Sequence, residues 1–128
     1  MQPEQRHHEE LIKGIAEQFE PVLGKSRQAI YIYLDDTHKV CNKKMADLLG
    51  YKSPEEWAQN EAALADVVEE DQPAVVGAYG NASEKLVASN LDVRVKHTST
   101  GKIIKTKMIM VPVGYAGHVF VMHFLTRV

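Results

Sequence analysis

The stretch from Ala29 to Tyr51 limits the possible folds of this chain more than any other part of the sequence. It reads AIYIYLDDTHKVCNKKMADLLGY, an alternating apolar run that two aspartates interrupt and that resumes before Asn42. Asn42 is a favourable residue to cap the start of a helix, and Gly50 suits the left-handed position that ends one. The pattern predicts a strand, a turn, a second strand and a short helix, in that order.

An amphipathic helix is predicted ahead of this stretch, from Glu4 to about Leu23. Its apolar residues recur at intervals of three and four, which places them on one helical face opposite a charged face. Pro21 and Gly24 are expected to end this helix. The apolar face must cover another surface, and its leading residues are Leu11, Ile12, Ile15 and Phe19.

Two further capping positions and three alternating runs organise the rest of the chain. Ser53 begins the sequence Ser-Pro-Glu-Glu, which is a strong helix start. Asp71 is placed to cap a longer helix that reaches about Ser89. Alternating residues then predict strands over residues 91–97, 103–112 and 118–126. Strands and helices in this order indicate an α+β fold with an antiparallel sheet.

The composition is that of one globular domain: 128 residues, of which 45% are hydrophobic and 25% charged. The net charge of −2 and the scattered basic residues argue against nucleic-acid binding. No apolar run approaches the roughly 20 residues that a membrane span needs, and the N-terminus lacks the apolar core of a signal peptide. A single cysteine cannot form an internal disulfide, and it fits a cytoplasmic location.

Four segments together resemble PAS (Per-Arnt-Sim) sensor domains. Residues 42–51 (NKKMADLLGY) resemble the family's asparagine-started helix, and residues 67–71 (VVEED) are similar to the apolar and acidic segment before its long helix. Residues 93–102 (VRVKHTSTGK) resemble its strand–turn–glycine hairpin, and residues 123–127 (HFLTR) lie where many members have Asp-Ile-Thr, with Thr126 alone retained. The resemblance implies a five-stranded antiparallel sheet in the order 2-1-5-4-3, with helices over one face and a pocket between them.

The same resemblance divides the chain into an N-terminal flanking helix, residues 1–27, and a PAS domain, residues 28–128. The expected function is a sensory or signal-transduction module that acts by homodimerisation or by docking to another protein, and no enzymatic activity is expected. Two alternatives stay open: a small-molecule receptor without signalling output, and a small cone-shaped α+β isomerase or dehydratase. The enzyme would need a buried Asp/His pair in the cavity, and no assigned inward strand position supplies one.

Alternation along the strands assigns their residues to the two faces of the sheet. Lys105 and Lys107 should avoid the helix-covered face, so the even-numbered residues of the same strand are expected to point inward. The inward set, extended to the last strand, is Ile104, Thr106, Met108, Met110, Phe120, Met122 and Phe124. The outward set is Ile109, Val111, Val119, Val121 and Leu125, joined by Tyr31 and Tyr33.

The outward set is too apolar to face water. The N-terminal helix has the matching apolar stripe, so we expect it to cover this face. It can come from the same chain, as in a monomer with the helix folded back, or from the partner in a homodimer. The resemblance favours the dimer, and its candidate interface joins the outward set to Leu11, Ile12, Ile15 and Phe19.

The inward set is apolar, flexible and rich in methionine. Such residues either pack a closed core or line a pocket for an apolar or aromatic ligand, and the core is the simpler interpretation. For a ligand, Thr106 and Tyr79 are the expected polar anchors, with Trp57 near the mouth of the pocket.

No metal or cofactor is expected. Haem-binding members of the family use a histidine on the long helix, and residues 72–89 contain none. Flavin-binding members carry their reactive cysteine on a short helix, whereas Cys41 ends a predicted strand. The six histidines show no metal-ligand spacing with a carboxylate or cysteine nearby. His7 and His8 are expected to be solvated, because adjacent residues cannot share one helix face.

Overall fold

One antiparallel sheet between two layers of helix forms the fold. The structure is a computed structural model that describes residues 3–128. Its five strands stand in the order β2-β1-β5-β4-β3, which confirms the predicted α+β fold and its strand order. In chain order they are β1 Ala29–Asp35, β2 His38–Cys41, β3 Ser89–Lys96, β4 Ile103–Tyr115 and β5 His118–Arg127.

Five α-helices accompany the sheet within residues 3–128. They are α1 Pro3–Gln18, α2 Glu20–Lys25, α3 Lys43–Leu49, α4 Pro54–Ala58 and α5 Gln72–Lys85, and 3₁₀ turns cover Ala63–Asp66 and Glu69–Asp71. None of these helices has the length and apolarity that crossing a lipid bilayer requires. Helix α5 ends at Lys85, four residues before the predicted end, and Leu86 adopts a left-handed conformation with φ 58°.

The N-terminal helix consists of two helices, although the sequence predicts one. Phe19 leaves the helical conformation between α1 and α2. Pro21 does not end a helix, as expected from the sequence, but stands in the first turn of α2, where its missing N–H needs no partner.

Helix α1 folds back on the outer face of its own sheet. Ile15 is completely buried there, as is Phe120 of β5 on the facing surface. The remaining buried residues of this layer are Leu11, Leu23, Ile30, Ile32 and Met122. The expectation that this helix covers the outer face is confirmed, with the helix and the sheet belonging to the same chain. Homodimerisation stays a prediction.

The assignment of residues to the two faces is right for β4 and wrong for β1 and β5. Ile104, Met108 and Met110 lie on the face that α3, α4 and α5 cover. Three residues expected to point inward contact the α1 layer on the outer face: Phe120, Met122 and Phe124. Four residues expected to point outward lie on the inner face with α3–α5: Tyr31, Tyr33, Val121 and Leu125.

The geometry of the β4–β5 hairpin explains this correction. Tyr115 pairs with His118 across a two-residue turn, so even-numbered residues of β4 pair with odd-numbered residues of β5. Met110 is therefore opposite His123, and Val111 is opposite Met122. Because paired residues share a face, the inward positions of β5 are the odd ones.

Asn42 caps α3 as predicted, and its side chain also joins this helix to the sheet. Its Oδ1 accepts hydrogen bonds from the amides of Met45 and Ile30, each at 3.0 Å. Its Nδ2 donates to the carbonyl of Gln28 at 2.9 Å. Gly50 ends the helix with φ 82°, a conformation that favours glycine.

Asp71 does not cap α5, which corrects the sequence-based interpretation. Its side chain makes no cap hydrogen bond. The carboxylate instead accepts from the backbone amide of Arg94 at 2.8 Å and from the guanidinium at 3.0 and 2.8 Å. Asp71 therefore fastens the start of α5 to strand β3.

Candidate functional site

A cavity of about 170 Å³ lies between strands β1 and β5 and helix α5. Its apolar lining comes from the 3₁₀ turn and from α5, and consists of Ala63, Leu64, Val75 and Val76. Its polar lining consists of Tyr31, Tyr33, Asp36, Tyr79 and His123. Apolar walls with a few convergent polar groups are the usual composition of a small-molecule site.

Aromatic rings form one side of this cavity. Tyr31 and His123 are paired residues of β1 and β5, and their rings stack at 3.9 Å between centroids with an interplanar angle of 10°. Tyr79 lies nearly parallel to His123 at 6.4 Å, and Tyr33 meets Tyr79 edge-on at 5.2 Å. The rings that line the cavity therefore meet both face to face and edge to face.

His123 is a neutral imidazole with one defined tautomer. It is 2% exposed, and burial lowers its pKa to about 3. Its Nδ1 lies 3.1 Å from the carbonyl oxygen of Val121. Because a carbonyl can only accept, Nδ1 carries the proton, and Nε2 is left as a hydrogen-bond acceptor.

The three tyrosines of the cavity are protonated phenols, since burial raises the pKa of Tyr31, Tyr33 and Tyr79. The Tyr33 hydroxyl donates to Oδ1 of Asp36 at 2.9 Å, and the amide of Ala63 donates to the same oxygen at 3.2 Å. Within residues 3–128 the hydroxyls of Tyr31 and Tyr79 have no hydrogen-bond partner. The Tyr31 hydroxyl is not among the fully buried atoms without a partner, so it is open to the cavity and can bond to water or to a ligand there.

A buried lysine lies beside the cavity. Lys39 is 3% exposed, and its Nζ donates to the backbone carbonyls of Asp36 and Asn60. The same atom is 5.6 Å from the centre of the Trp57 ring, a cation–π distance. Burial lowers the pKa of Lys39.

Tyr79 is the one predicted pocket residue that lines this cavity. Thr106, the other predicted anchor, is buried, but its hydroxyl donates to the carbonyl of Val93 at 2.7 Å inside the sheet. Trp57 is 1% exposed and packs against Tyr31 at 5.1 Å instead of lying at the mouth. Ile104, Met108 and Met110 belong to the core of the same layer.

Tyr31 and Tyr33 line the cavity, although they were expected at the outer interface. Asp36 lies in the β1–β2 turn, as predicted, and lines the cavity from there. His123 was assigned to neither face from the sequence, and it also lines the cavity. Asp36 and His123 both line the cavity, but Asp36 stands in a turn and is half-buried, so the expectation that no inward strand position supplies a buried Asp/His pair is not overturned. The even number of residues in the β4–β5 turn is the feature of the sequence that places His123 on the inward face.

Cys41 lies outside this cavity. It is 7% exposed, and its Sγ is 4.0 Å from the carbonyl oxygen of Pro54. Burial raises the pKa of its thiol to about 12. A thiol with this pKa is not nucleophilic at neutral pH.

A second polar cluster joins the first helix to the β1–β2 turn. His8 Nδ1 is 3.3 Å from Oδ2 of Asp35, and His38 Nδ1 is 2.7 Å from Oδ1 of the same carboxylate. His7 Nε2 is 3.2 Å from His118 Nε2. His7 is exposed, as predicted, whereas His8 is only partly exposed. The expectation that no histidine lies near a carboxylate with the spacing of a metal site is wrong.

Comparison with solved structures shows a PAS-like fold. The PAS domain of a protein from Colwellia psychrerythraea is 18% identical, with a TM-score of 0.70 over 89% of this chain and 97% of that chain. A diguanylate cyclase N-terminal domain with a PAS/PAC sensor, from Marinobacter aquaeolei, is 20% identical, with a TM-score of 0.60 over 77% and 94%. The Rhodobacter sphaeroides LOV protein is 12% identical, with a TM-score of 0.67 over 88% and 67%. Neither protein-family models nor curated proteins give a sequence match.

Proposed function

On the premise that this chain has a PAS-like fold, we propose that it is a sensory module whose cavity binds a small planar molecule. The single observation that carries the proposal is the cavity itself, with its stacked rings and a tyrosine hydroxyl that has no partner within residues 3–128. Sensor domains of this fold are named among the similar structures, including the domain from a diguanylate cyclase. Those names support a signalling role here, and the cavity supports ligand input.

The cavity, which is open to solvent on one side, has room for about one ring. A protein cavity of about 150 Å³ accommodates benzene, and this one measures about 170 Å³. Tyr31 and Tyr79 offer hydroxyls, and His123 offers an acceptor nitrogen. We therefore propose a single-ring aromatic compound with a hydroxyl or amino substituent. Haem and the three fused rings of a flavin are larger than this cavity, which supports the proposal that the module holds neither.

Strands β1 and β5 line the cavity on one face of the sheet and contact α1 on the other, so α1 can respond to a bound ligand. On β1, Tyr31 lines the cavity while Ile30 and Ile32 contact the α1 layer on the opposite face. On β5, His123 lines the cavity while Met122 packs under α1. A ligand that displaces Tyr31 or His123 moves these strands, so we propose that the output is a change in the docking of α1.

Association with a second copy or with an effector is also part of the proposal. Helix α1 leaves the β4 side of the outer face open, where Ile109 is 39% exposed and Ile103 is 46% exposed. We propose that pairing uses this open strip. Ile109→Asp should then weaken a dimer measured by light scattering. Ile15→Asp is unsuitable for this test, because Ile15 is completely buried within the monomer.

Binding fits the cavity better than catalysis does. Asp36 and His123 could serve a proton-transfer enzyme, but Oδ1 of Asp36 already accepts from Tyr33 and Ala63. The pKa of His123, about 3, makes its imidazole a weak base at neutral pH. We therefore propose no enzymatic activity, and turnover of a single-ring substrate that depends on His123 would contradict this.

Native mass spectrometry with a set of single-ring compounds tests the proposal. Val75→Phe places a larger side chain in the cavity, and Val87→Phe makes the same change at a residue that is 51% exposed and outside the cavity. We expect the same ligand on the wild type and on Val87→Phe, and none on Val75→Phe, with all three proteins folded by circular dichroism. The proposal fails if no compound binds the wild type, or if Val75→Phe binds as well as Val87→Phe does.

A further inference from the structure

Three side chains from three different elements converge where helix α1 meets the sheet. His8 comes from α1, Asp35 from the end of β1, and His38 from the start of β2. Their ligand atoms all lie within 4.8 Å of one another. This arrangement is independent of the aromatic cavity and of the function proposed for it.

We propose that His8, Asp35 and His38 form a binding site for a divalent transition metal, with Zn²⁺ as the best-fitting ion. Two imidazole nitrogens and one carboxylate oxygen are a ligand set that zinc commonly uses. Three protein ligands leave a fourth position for a water molecule.

His8 and His38 contact different oxygens of the Asp35 carboxylate, so a tetrahedral ion that takes one of these oxygens requires the three side chains to shift. Zinc bonds of about 2.0–2.1 Å at tetrahedral angles place neighbouring ligand atoms about 3.3 Å apart. His8 Nδ1 and Asp35 Oδ2 already stand at 3.3 Å. His38 Nδ1 and Asp35 Oδ1 are closer, at 2.7 Å, which is a hydrogen-bond length. The metal replaces the proton of that bond, and the pair opens by about 0.6 Å.

The surroundings hold the carboxylate in place and leave an entry path. The amide and the hydroxyl of Thr37 both donate to Oδ1 of Asp35, each at 3.0 Å. Outer hydrogen bonds of this kind orient metal ligands. The His38 side chain is 8% exposed, whereas those of His8 and Asp35 are 26% and 39% exposed, so a metal can reach the site from solvent.

A metal at this site would clamp the first helix to the sheet. His8 is the one ligand on α1, and the other two belong to the β1–β2 hairpin. Binding to the folded arrangement stabilises it by mass action, so Zn²⁺ should slow the local opening of α1. The neighbouring pair, His7 and His118, lies on the same side of the helix contact with ring centroids 5.1 Å apart, and it is a competing location for the ion.

Isothermal titration of the metal-free full chain with ZnCl₂ measures the binding. We expect one Zn²⁺ per chain, and we expect His8→Ala, His38→Gln and Asp35→Asn each to weaken binding by about tenfold or more. Asp35→Asn keeps an acceptor for Thr37, so the turn is preserved. Glu9→Gln changes the charge of an exposed neighbour on the same helix turn, and it should bind Zn²⁺ as the wild type does.

Hydrogen exchange of α1 amides provides the second readout. Zn²⁺ should slow this exchange in the wild type and in Glu9→Gln, but not in Asp35→Asn. The proposal is overturned if the wild type binds no Zn²⁺, or if the three ligand variants bind as tightly as the wild type. Loss of binding in His118→Gln with retention in His8→Ala would also overturn it, by placing the metal on the other pair.

Discussion

Replacing Asn42 by alanine should destabilise the protein far more than the loss of an ordinary helix cap. The side chain is 5% exposed and makes three hydrogen bonds, to the amides of Ile30 and Met45 and to the carbonyl of Gln28. Loss of the cap on α3 costs about 1 kcal/mol. The buried amide of Ile30 would also lose its acceptor, which adds about 1–3 kcal/mol. We therefore expect Asn42→Ala to lower the free energy of unfolding by about 2–4 kcal/mol.

Urea unfolding measured by circular dichroism gives this difference, provided that the m-value does not change. Ser53→Ala is the matched control, because Ser53 caps α4 through one exposed hydrogen bond, to the amide of Glu56 at 3.1 Å. It should cost about 1 kcal/mol. If Asn42→Ala costs no more than Ser53→Ala, the Asn42 side chain does not join the helix to the sheet, and its proposed second role is wrong.

Three further predictions concern separate parts of the molecule. Ile15→Ala should lower the free energy of unfolding by about 2–5 kcal/mol because Ile15 is completely buried between α1 and the sheet, and a loss no larger than that of the half-buried Ile12→Ala would show that α1 is not docked. Hydrogen bonds from Arg94 lower the pKa of Asp71 below its ordinary value of 3.8, so this carboxylate stabilises the fold above that value and loses its effect as the pH falls through the lowered pKa. Unfolding measured from about pH 5 downward should therefore be less pH-dependent in Asp71→Asn, and identical profiles would contradict the ion pair. The buried thiol of Cys41, with a pKa of about 12, should resist a thiol reagent at neutral pH and react once urea unfolds the chain; rapid labelling of the folded protein would disprove its burial.

Local signals in the sequence are sufficient to predict the five strands, their order and the starts of α3 and α4, but not the division of the N-terminal helix into α1 and α2. Asn42 and Gly50 determine both ends of α3 by backbone hydrogen bonding and conformation, and these effects act within a few residues. Ser53 likewise starts α4 through its bond to Glu56. Pro21 is ambiguous in the sequence, because proline can end one helix or stand in the first turn of the next, and its local pattern does not decide between the two.

The candidate site is harder to predict because it depends on the register of β5. That strand is apolar on both faces, so no charged residue marks its outer side as Lys105 and Lys107 do on β4. The face assignment of β5 then depends on whether its even-numbered or its odd-numbered residues are taken to point inward. Any β4–β5 turn with an even number of residues places the odd ones, including His123, inward. Choosing the even-numbered residues assigns Phe120, Met122 and Phe124 to the wrong face of the sheet.

The cluster of His8, Asp35 and His38 cannot be found from spacing along the chain. His8 reaches the β1–β2 turn because α1 folds back over the sheet, and its separation from Asp35 in the sequence contains no sign of this contact. Asp71 is a second residue whose tertiary contact cannot be found from the local sequence. A local cap is sufficient to explain its place in the sequence, but the carboxylate binds Arg94 of a distant strand.

A two-dimensional ¹H–¹⁵N NMR titration with a single-ring phenol, chosen by mass spectrometry, examines ligand input through the cavity at the level of single residues. We expect shifts at the amides of Tyr31, Tyr79 and His123, with smaller shifts at residues of α1 across the sheet, and none of these in Val75→Phe. Shifts confined to the outer face of the sheet, or an unchanged spectrum at saturating ligand, would contradict the proposal that this cavity is the sensory input.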